Sequence, residues 1–200
     1  MNHAMKDADT LARLSSIFAQ FGVTEPQLLE SLTGVLELRE YDRDQPIIRA
    51  GERPSHFFVI LSGLARYYYL SPEGKQWNKA FFHEGQMIGS LSAYLKQQPS
   101  TYYIEAMEKS LLAVVPLSIL SQQRERFPQL QEMLDQVTQY IMLRNEAREA
   151  LLLTCNSEER YRWLLEHEAW LLERVPQYQL ASYLSMDAVS FSRIKSKLGR

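Results

Sequence analysis

Beyond Asp187 the chain carries Ser190, Ser192, Arg193, Lys195 and Lys197, and with Arg200 this stretch holds four basic residues and no acid. Hydroxyl and cationic side chains at that density suit phosphate oxygens, because a cation that neutralises a phosphate releases its condensed counterions. Arg193 adds a planar fork of donors that matches O6 and N7 of guanine, and it serves a backbone phosphate equally well. Ala188 and Val189, at the start of the stretch, cannot hydrogen-bond a base edge.

These side chains need a rigid element to present them. Leu180, Leu184, Met186, Phe191, Ile194 and Leu198 recur at helical spacing on either side of Ser185-Met186-Asp187, with the small Ala181 where two helices would cross. The pattern predicts a helix-turn-helix, whose second helix enters the major groove of DNA. A helical hairpin that only closes off a core, its lysines solvated, is the plainer alternative. Ser185 lacks the glycine that most easily takes the left-handed conformation of such a turn.

Composition bounds the rest. A chain of 200 residues with 46% hydrophobic content can bury a real core. Its net charge of -2 and pI near 6.1 supply no global attraction to nucleic acid, so binding must come from a local basic face. Charge is segregated accordingly, since Glu149, Glu158, Glu159, Glu166, Glu168 and Glu173 precede the basic end. The single cysteine, Cys155, excludes an internal disulfide and a cysteine-ligated cluster within one chain. The polar N-terminus has no signal-peptide core and no segment approaches the ~20 apolar residues of a membrane span, so a cytoplasmic protein without membrane partners is expected.

Along the chain, a short helix at about 10–21 precedes Thr24-Glu-Pro-Gln27, a plausible capping box opening a second helix through Leu28, Leu29 and Leu32. Short β-like runs follow at Val35 to Tyr41, Ile47-Ile48, Phe57 to Leu61, Leu64 to Leu70, Trp77 to Phe82, Tyr102 to Ala106 and Leu111 to Val115, punctuated by Gly51, Gly63, Gly74, Gly85 and Gly89. Strands of this length and spacing predict an antiparallel β-roll. From Pro128 a helix runs to about Leu153 without internal glycine or proline. Met133, Val137, Tyr140, Ala147 and Leu151 form its apolar seam, interrupted by Arg144, and such a seam suits a symmetric homodimer, with packing against the chain's own roll as the plainer alternative. Asn156 and Glu159 cap a further helix over about 158–172, with Trp163, His167, Trp170 and Leu171 on one face. The chain is thus expected to be α+β, with N-terminal helices and an effector-binding-like roll over 1–127, a dimerisation helix over 128–154 and a DNA-binding unit over 155–200.

That order resembles the Crp/Fnr family of bacterial transcription regulators. Ile48-Arg-Ala-Gly51, Phe57-Phe-Val-Ile-Leu-Ser-Gly63 and Gly85-Gln-Met-Ile-Gly89 are similar to turns of the family's cyclic-nucleotide-binding roll, a double-stranded β-helix with cupin-like strands. Glu159-Arg160-Tyr161, Val175-Pro176-Gln177 and Leu180-Ala-Ser-Tyr-Leu184 resemble a short-form branch without a C-terminal wing. The resemblance implies an inverted-repeat operator read by a homodimer, and RNA polymerase as a further partner if the protein activates. It implies a pocket at Gly89, Ser90, Leu91, Ser92, Ser100, Thr101 and an aromatic from Tyr102 or Tyr103, with Tyr103 taken into the candidate set, approached by Asn145 and Glu146 of the central helix.

The departures from the family pattern matter equally. Gly89-Ser90-Leu91 stands where cyclic-AMP binders have Gly-Glu-Leu, and Ser100-Thr101 where they have Arg-Ser. The lost arginine would have made charge-assisted hydrogen bonds worth roughly 1.5 to 3 kcal/mol each. A degenerate pocket is therefore expected, one that rejects cyclic AMP and takes an uncharged or cationic effector or none. Ala188 and Val189 occupy positions where relatives carry base-reading residues, so a dimeric interaction protein without sequence-specific DNA reading is the competing function. A metal-dependent cupin enzyme is disfavoured, because His3, His56, His83 and His167 are scattered and no catalytic motif is present; no enzyme activity and no cofactor are expected.

Overall fold

A computed structural model of the protein describes residues 3–4 and 7–198. In chain order the elements are β1 (His3–Ala4), α1 (Ala8–Gln20), α2 (Pro26–Val35), β2 (Glu37–Tyr41), β3 (Pro46–Ile48), β4 (His56–Ser62), β5 (Ala65–Leu70), β6 (Gln76–Phe82), β7 (Met87–Ile88), α3 (Leu91–Lys96), β8 (Tyr103–Ala106), β9 (Ser110–Pro116), α4 (Leu117–Gln123), α5 (Pro128–Thr154), α6 (Ser157–His167), α7 (Leu171–Arg174), α8 (Gln177–Tyr183) and α9 (Ala188–Leu198). One sheet has the order β1-β2-β9-β4-β7 and the other β3-β8-β5-β6. The α+β class is as the sequence predicts.

The chain divides into two compact units, Met1–Tyr67 with Phe81–Gln139, and Tyr68–Ala80 with Tyr140–Arg200. In the first unit the alternation of strand side chains, with both faces covered, explains why β4 is apolar from Phe57 to Leu61. Phe57, Val59 and Leu61 join a core with Leu14, Phe18, Leu28 and Leu32 of the N-terminal helices and with Leu130 and Met133 of α5. Phe58 and Ile60, out of phase by one residue, are buried on the opposite face.

Several local expectations are corrected. Val35 closes α2 rather than opening a strand. Thr24 does not cap that helix; Glu25 is its N-cap without a side-chain bond, and Gln129 Oε1 accepts from the backbone N–H groups of Thr24 and Glu25 instead. A distant amide thus replaces the local capping box.

In the second unit, Asn156 and Glu159 do form a reciprocal capping box at the start of α6. The helix then stops at His167, so Trp170 and Leu171 do not continue the face of Trp163. Glu168 turns out of helical geometry at φ -137, ψ 37 and its carboxylate, only 15% exposed, lies 3.5 Å from Arg144. That ion pair also explains why Arg144 interrupts the seam of α5: its position faces the helix's own unit. Leu151 is likewise buried there, while Tyr140, Leu143, Ala147 and Ala150 form the exposed stripe. Among the described residues no helix is long and apolar enough to cross a membrane.

Candidate nucleic-acid interface and effector pocket

The helix-turn-helix is α8, a turn at 184–187, and α9. Leu180, Ala181, Leu184 and Phe191 are buried, and the Phe191 ring meets Tyr161 of α6 edge-on at 5.3 Å. Met186 N–H donates to Ala181 O and Ser185 N–H to Ser182 O, the paired bonds that close a helix through a left-handed residue. That residue is Ser185, at φ 52, so the turn forms without the glycine it would prefer. Met186, Ile194 and Leu198 are only partly buried.

The proposed DNA ligands separate by role. Asp187 caps α9, accepting from Ser190 N–H at 2.8 Å and from the Ser190 hydroxyl at 2.7 Å. The Ser190 hydroxyl bond, ahead of the backbone ones, holds the Asp187 carboxyl below the usual range. Ser190 is therefore a capping partner first. Lys197 donates to Glu158 at 2.6 Å and Lys195 is half-buried. Ser192 and Arg193 are exposed, together with Ser196, which the sequence reading passed over although its spacing from Ser192 and Arg193 places it on their face. Val189 is 59% exposed on that same face.

Two further groups position this motif. Arg160 of α6 donates to the carbonyls of Leu152 at 2.8 Å, Cys155 at 2.9 Å and Leu184 at 3.1 Å, tying the end of α5 to the turn before α9. Arg148 of α5 stacks 4.2 Å from the Tyr183 ring centroid and donates to Asn78 O at 3.2 Å. Burial pushes the Arg148 pKa down; burial, then the Glu168 carboxylate, pushes Tyr183 up to about 12. At the β6 end of this unit Asn78, 3% exposed, donates its side-chain amide to Gln179, and its N–H meets Ser182 Oγ at 3.1 Å. Sequence carried a faint signal for Arg160, in Glu159-Arg160-Tyr161, and none for Asn78.

The expected pocket residues fall into both units. In the first, Gly89 is the centre: Tyr67 Oη accepts from Gly89 N–H at 2.7 Å and donates to Gly89 O at 3.1 Å, and Tyr102 Oη donates to the same carbonyl at 3.2 Å. The Tyr67 and Tyr102 rings stack at 5.2 Å. Tyr102, not the half-exposed Tyr103, is thus the aromatic on the Gly89 turn. A Cβ at Gly89 would lie 2.0 Å from the Phe57 ring. Ser90 and Ser100 are buried, while Ser92 and Thr101 are exposed and Leu91 lies between. Ser100 Oγ donates to Tyr102 O at 2.8 Å; among the described residues Ser90 Oγ finds no partner. Arg66 and Glu105, both buried, pair at 2.7 Å, a charge pair that sequence reading missed. In the second unit Asn145 lines an open groove of about 320 Å³ with Tyr69, Lys79, Arg148, Glu149, Leu152 and Leu153, and Glu146 is exposed. Among the described residues no group of three or more His, Cys, Asp or Glu side chains is placed to hold a metal ion.

Comparisons with known proteins agree with this architecture. The cyclic nucleotide-binding domain model matches residues 38–127. The chain is 24% identical over 148 residues to the anaerobic regulatory protein of Pasteurella multocida, covering 74% of this chain and 53% of that one. It is 24% identical to the fumarate and nitrate reduction regulatory protein of Vibrio cholerae over 148 residues, 74% of this chain and 58% of the relative. The chain spans about half the length of the curated relatives it matches. Among solved structures, FixK2 from Bradyrhizobium japonicum superposes with a TM-score of 0.74 at 23% identity, over 82% of this chain and 85% of that one, a likeness of fold. These relatives are named as regulatory proteins. With a cyclic nucleotide-binding domain over residues 38–127 of its roll and 24% identity over 148 residues to Fnr-type regulators, the chain is similar to regulators of the Crp/Fnr family.

Proposed function

We propose that this chain is a dimeric, cytoplasmic, DNA-binding transcriptional regulator whose roll has abandoned cyclic AMP. The observation that carries the reading is the outward face of α9, where Val189, Ser192, Arg193 and Ser196 stand exposed opposite the buried Phe191. Arg193 reads or grips DNA, Ser192 and Ser196 supply hydroxyls, and Lys195 and Lys197 serve the phosphates, Lys197 exchanging Glu158 for a phosphate oxygen. The Tyr140, Leu143, Ala147 and Ala150 stripe of α5 pairs two subunits, and a two-fold operator with half-sites about 34 Å apart follows. Residues 1–127 then form the sensing unit, 128–154 the dimer helix and 155–200 the DNA-binding unit.

Ser100 in place of an arginine argues against a cyclic phosphate, and the buried Arg66 cation is already engaged by Glu105. An uncharged or cationic compound is the effector that the neutral residues Gly89, Ser90, Leu91, Ser92, Ser100, Thr101 and Tyr102 or Tyr103 suit. Any effector must favour the DNA-competent arrangement over the other to act as a switch. Gel shift on the promoter upstream of its own gene tests the DNA reading. A retarded band lost in the Arg193→Ala, Lys195→Ala double variant is expected, and no band at low salt overturns it. Calorimetry with cyclic AMP is expected to show no binding at micromolar concentration; saturation there overturns the pocket reading. The alternative, an interaction protein without base reading, rests on Ala188 and Val189 offering no hydrogen bond to a base edge, and diffuse, salt-labile genomic binding would support it.

A further inference from the structure

Val189 is the exposed large apolar residue on a helix whose outward face is otherwise hydroxylic and cationic. Resting on the DNA reading above, we infer that Val189 is a specificity-determining residue that recognises the 5-methyl group of a thymine in the major groove. At 100° per residue Val189 lies on the side of α9 opposite Phe191, which is fully buried against Tyr161, so the valine methyls cannot join the unit's own core. Arg193 follows four residues later on the same face, about 6 Å along the axis. The polar groups beside the valine leave it free for an apolar contact: Asp187 and Ser190 satisfy each other at 2.7 and 2.8 Å.

In the major groove the base-edge group that an aliphatic side chain can read is the thymine methyl; guanine, adenine and cytosine offer only donors and acceptors that valine would desolvate without compensation. Val189 therefore selects a T·A pair and disfavours C·G at its position, while Arg193 reads guanine or grips a phosphate within the same half-site. Charge complementarity supports this occupant: after Asp187 the described part of the helix carries Arg193, Lys195 and Lys197 and no acid. Arg200, which would add a further cation, lies outside the described residues.

The test is selection of binding sites from a random duplex pool by the full chain, followed by replacement of each selected thymine with deoxyuridine, which removes only the methyl. One thymine per half-site should lose about fourfold in affinity on replacement, the worth of one buried methyl-sized group. In Val189→Ala, a substitution at an exposed site that improves helix propensity, that penalty should vanish at this position and persist elsewhere. Val189→Glu should shift the preferred base there from thymine to cytosine, whose amino group a carboxylate accepts. Selection of a defined inverted repeat in which no uracil penalty depends on residue 189 overturns the assignment but leaves DNA recognition standing. Failure to enrich any sequence overturns both.

Discussion

The side-chain amide of Asn78 donates to the main-chain carbonyl of Gln179 at 2.9 Å, joining a β-strand residue to the first helix of the helix-turn-helix. The same amide reaches Gln179 Oε1, and Asn78 N–H meets Ser182 Oγ on the next turn of α8. One buried residue thereby satisfies groups on a helix of only seven residues, which could not hold its orientation by local bonds alone.

Asn78→Ala should cost about 1 to 3 kcal/mol, because it removes the buried hydrogen bonds that the Asn78 amide donates to Gln179. Denaturant unfolding measures the loss. Hydrogen exchange should rise at α8 amides before those of β4 and β9. Unchanged protection in α8 would show that Asn78 is a passive neighbour.

Arg160→Ala should destabilise the second unit by about 2 to 3 kcal/mol, through loss of charge-assisted bonds to the carbonyls of Leu152, Cys155 and Leu184. Arg160→Lys should recover little, since one compact ammonium cannot span three carbonyls that a planar fork serves together. A lysine variant as stable as the parent in thermal unfolding would refute this.

Asp187 stabilises α9 as a carboxylate, its pKa lowered chiefly by the Ser190 hydroxyl. Its contribution is present above the unfolded-state value and is lost as pH falls through the lowered folded value. The exchange protection of the first α9 amides should therefore decline in acid. Asp187→Asn, an equally good cap without a titrating group, should flatten that acid dependence.

Tyr183 carries the opposite sign. Its folded pKa is raised from 10.0 to about 12, so the stability it adds is complete below its unfolded value and disappears as pH rises through about 12. Tyr183→Phe keeps the ring beneath Arg148 and removes the titration. The alkaline fall in unfolding midpoint should be shallower in that variant.

Leu143→Glu places a charge in the exposed α5 stripe, 60% exposed in the single chain. Under the proposed pairing, the parent should sediment as a dimer and the variant as a monomer at the same concentration, with each chain's unfolding midpoint nearly unchanged. A dimeric variant, or a monomeric parent, would overturn the pairing through this stripe.

Much of this molecule can be read from its residues, and the failures share a cause. The strands, the long helix and the α8-turn-α9 motif follow from local periodicity, and the Asn156–Glu159 capping box from two residues three apart. The interruption at Arg144 was visible as well, but its meaning was not: only the Glu168 carboxylate, brought there by the break after α6, shows that the position faces inward. Gln129 at the start of α2, Arg66 with Glu105, Tyr67 and Tyr102 on Gly89, and Asn78 on Gln179 all join residues remote in sequence. Spacing within a segment carries no trace of such partners. Tyr102 and Tyr103 could be separated only by strand phase, which a single residue's offset reverses.

At Gly89 the Phe57 ring occupies the place a side chain would need, while the hydroxyls of Tyr67 and Tyr102 grip the peptide itself. Mutation can therefore rewrite the chemistry of the exposed Ser92 and Thr101 without disturbing the frame at Gly89. A roll organised in this way can change the chemistry of its surface over evolutionary time and still remain the same roll.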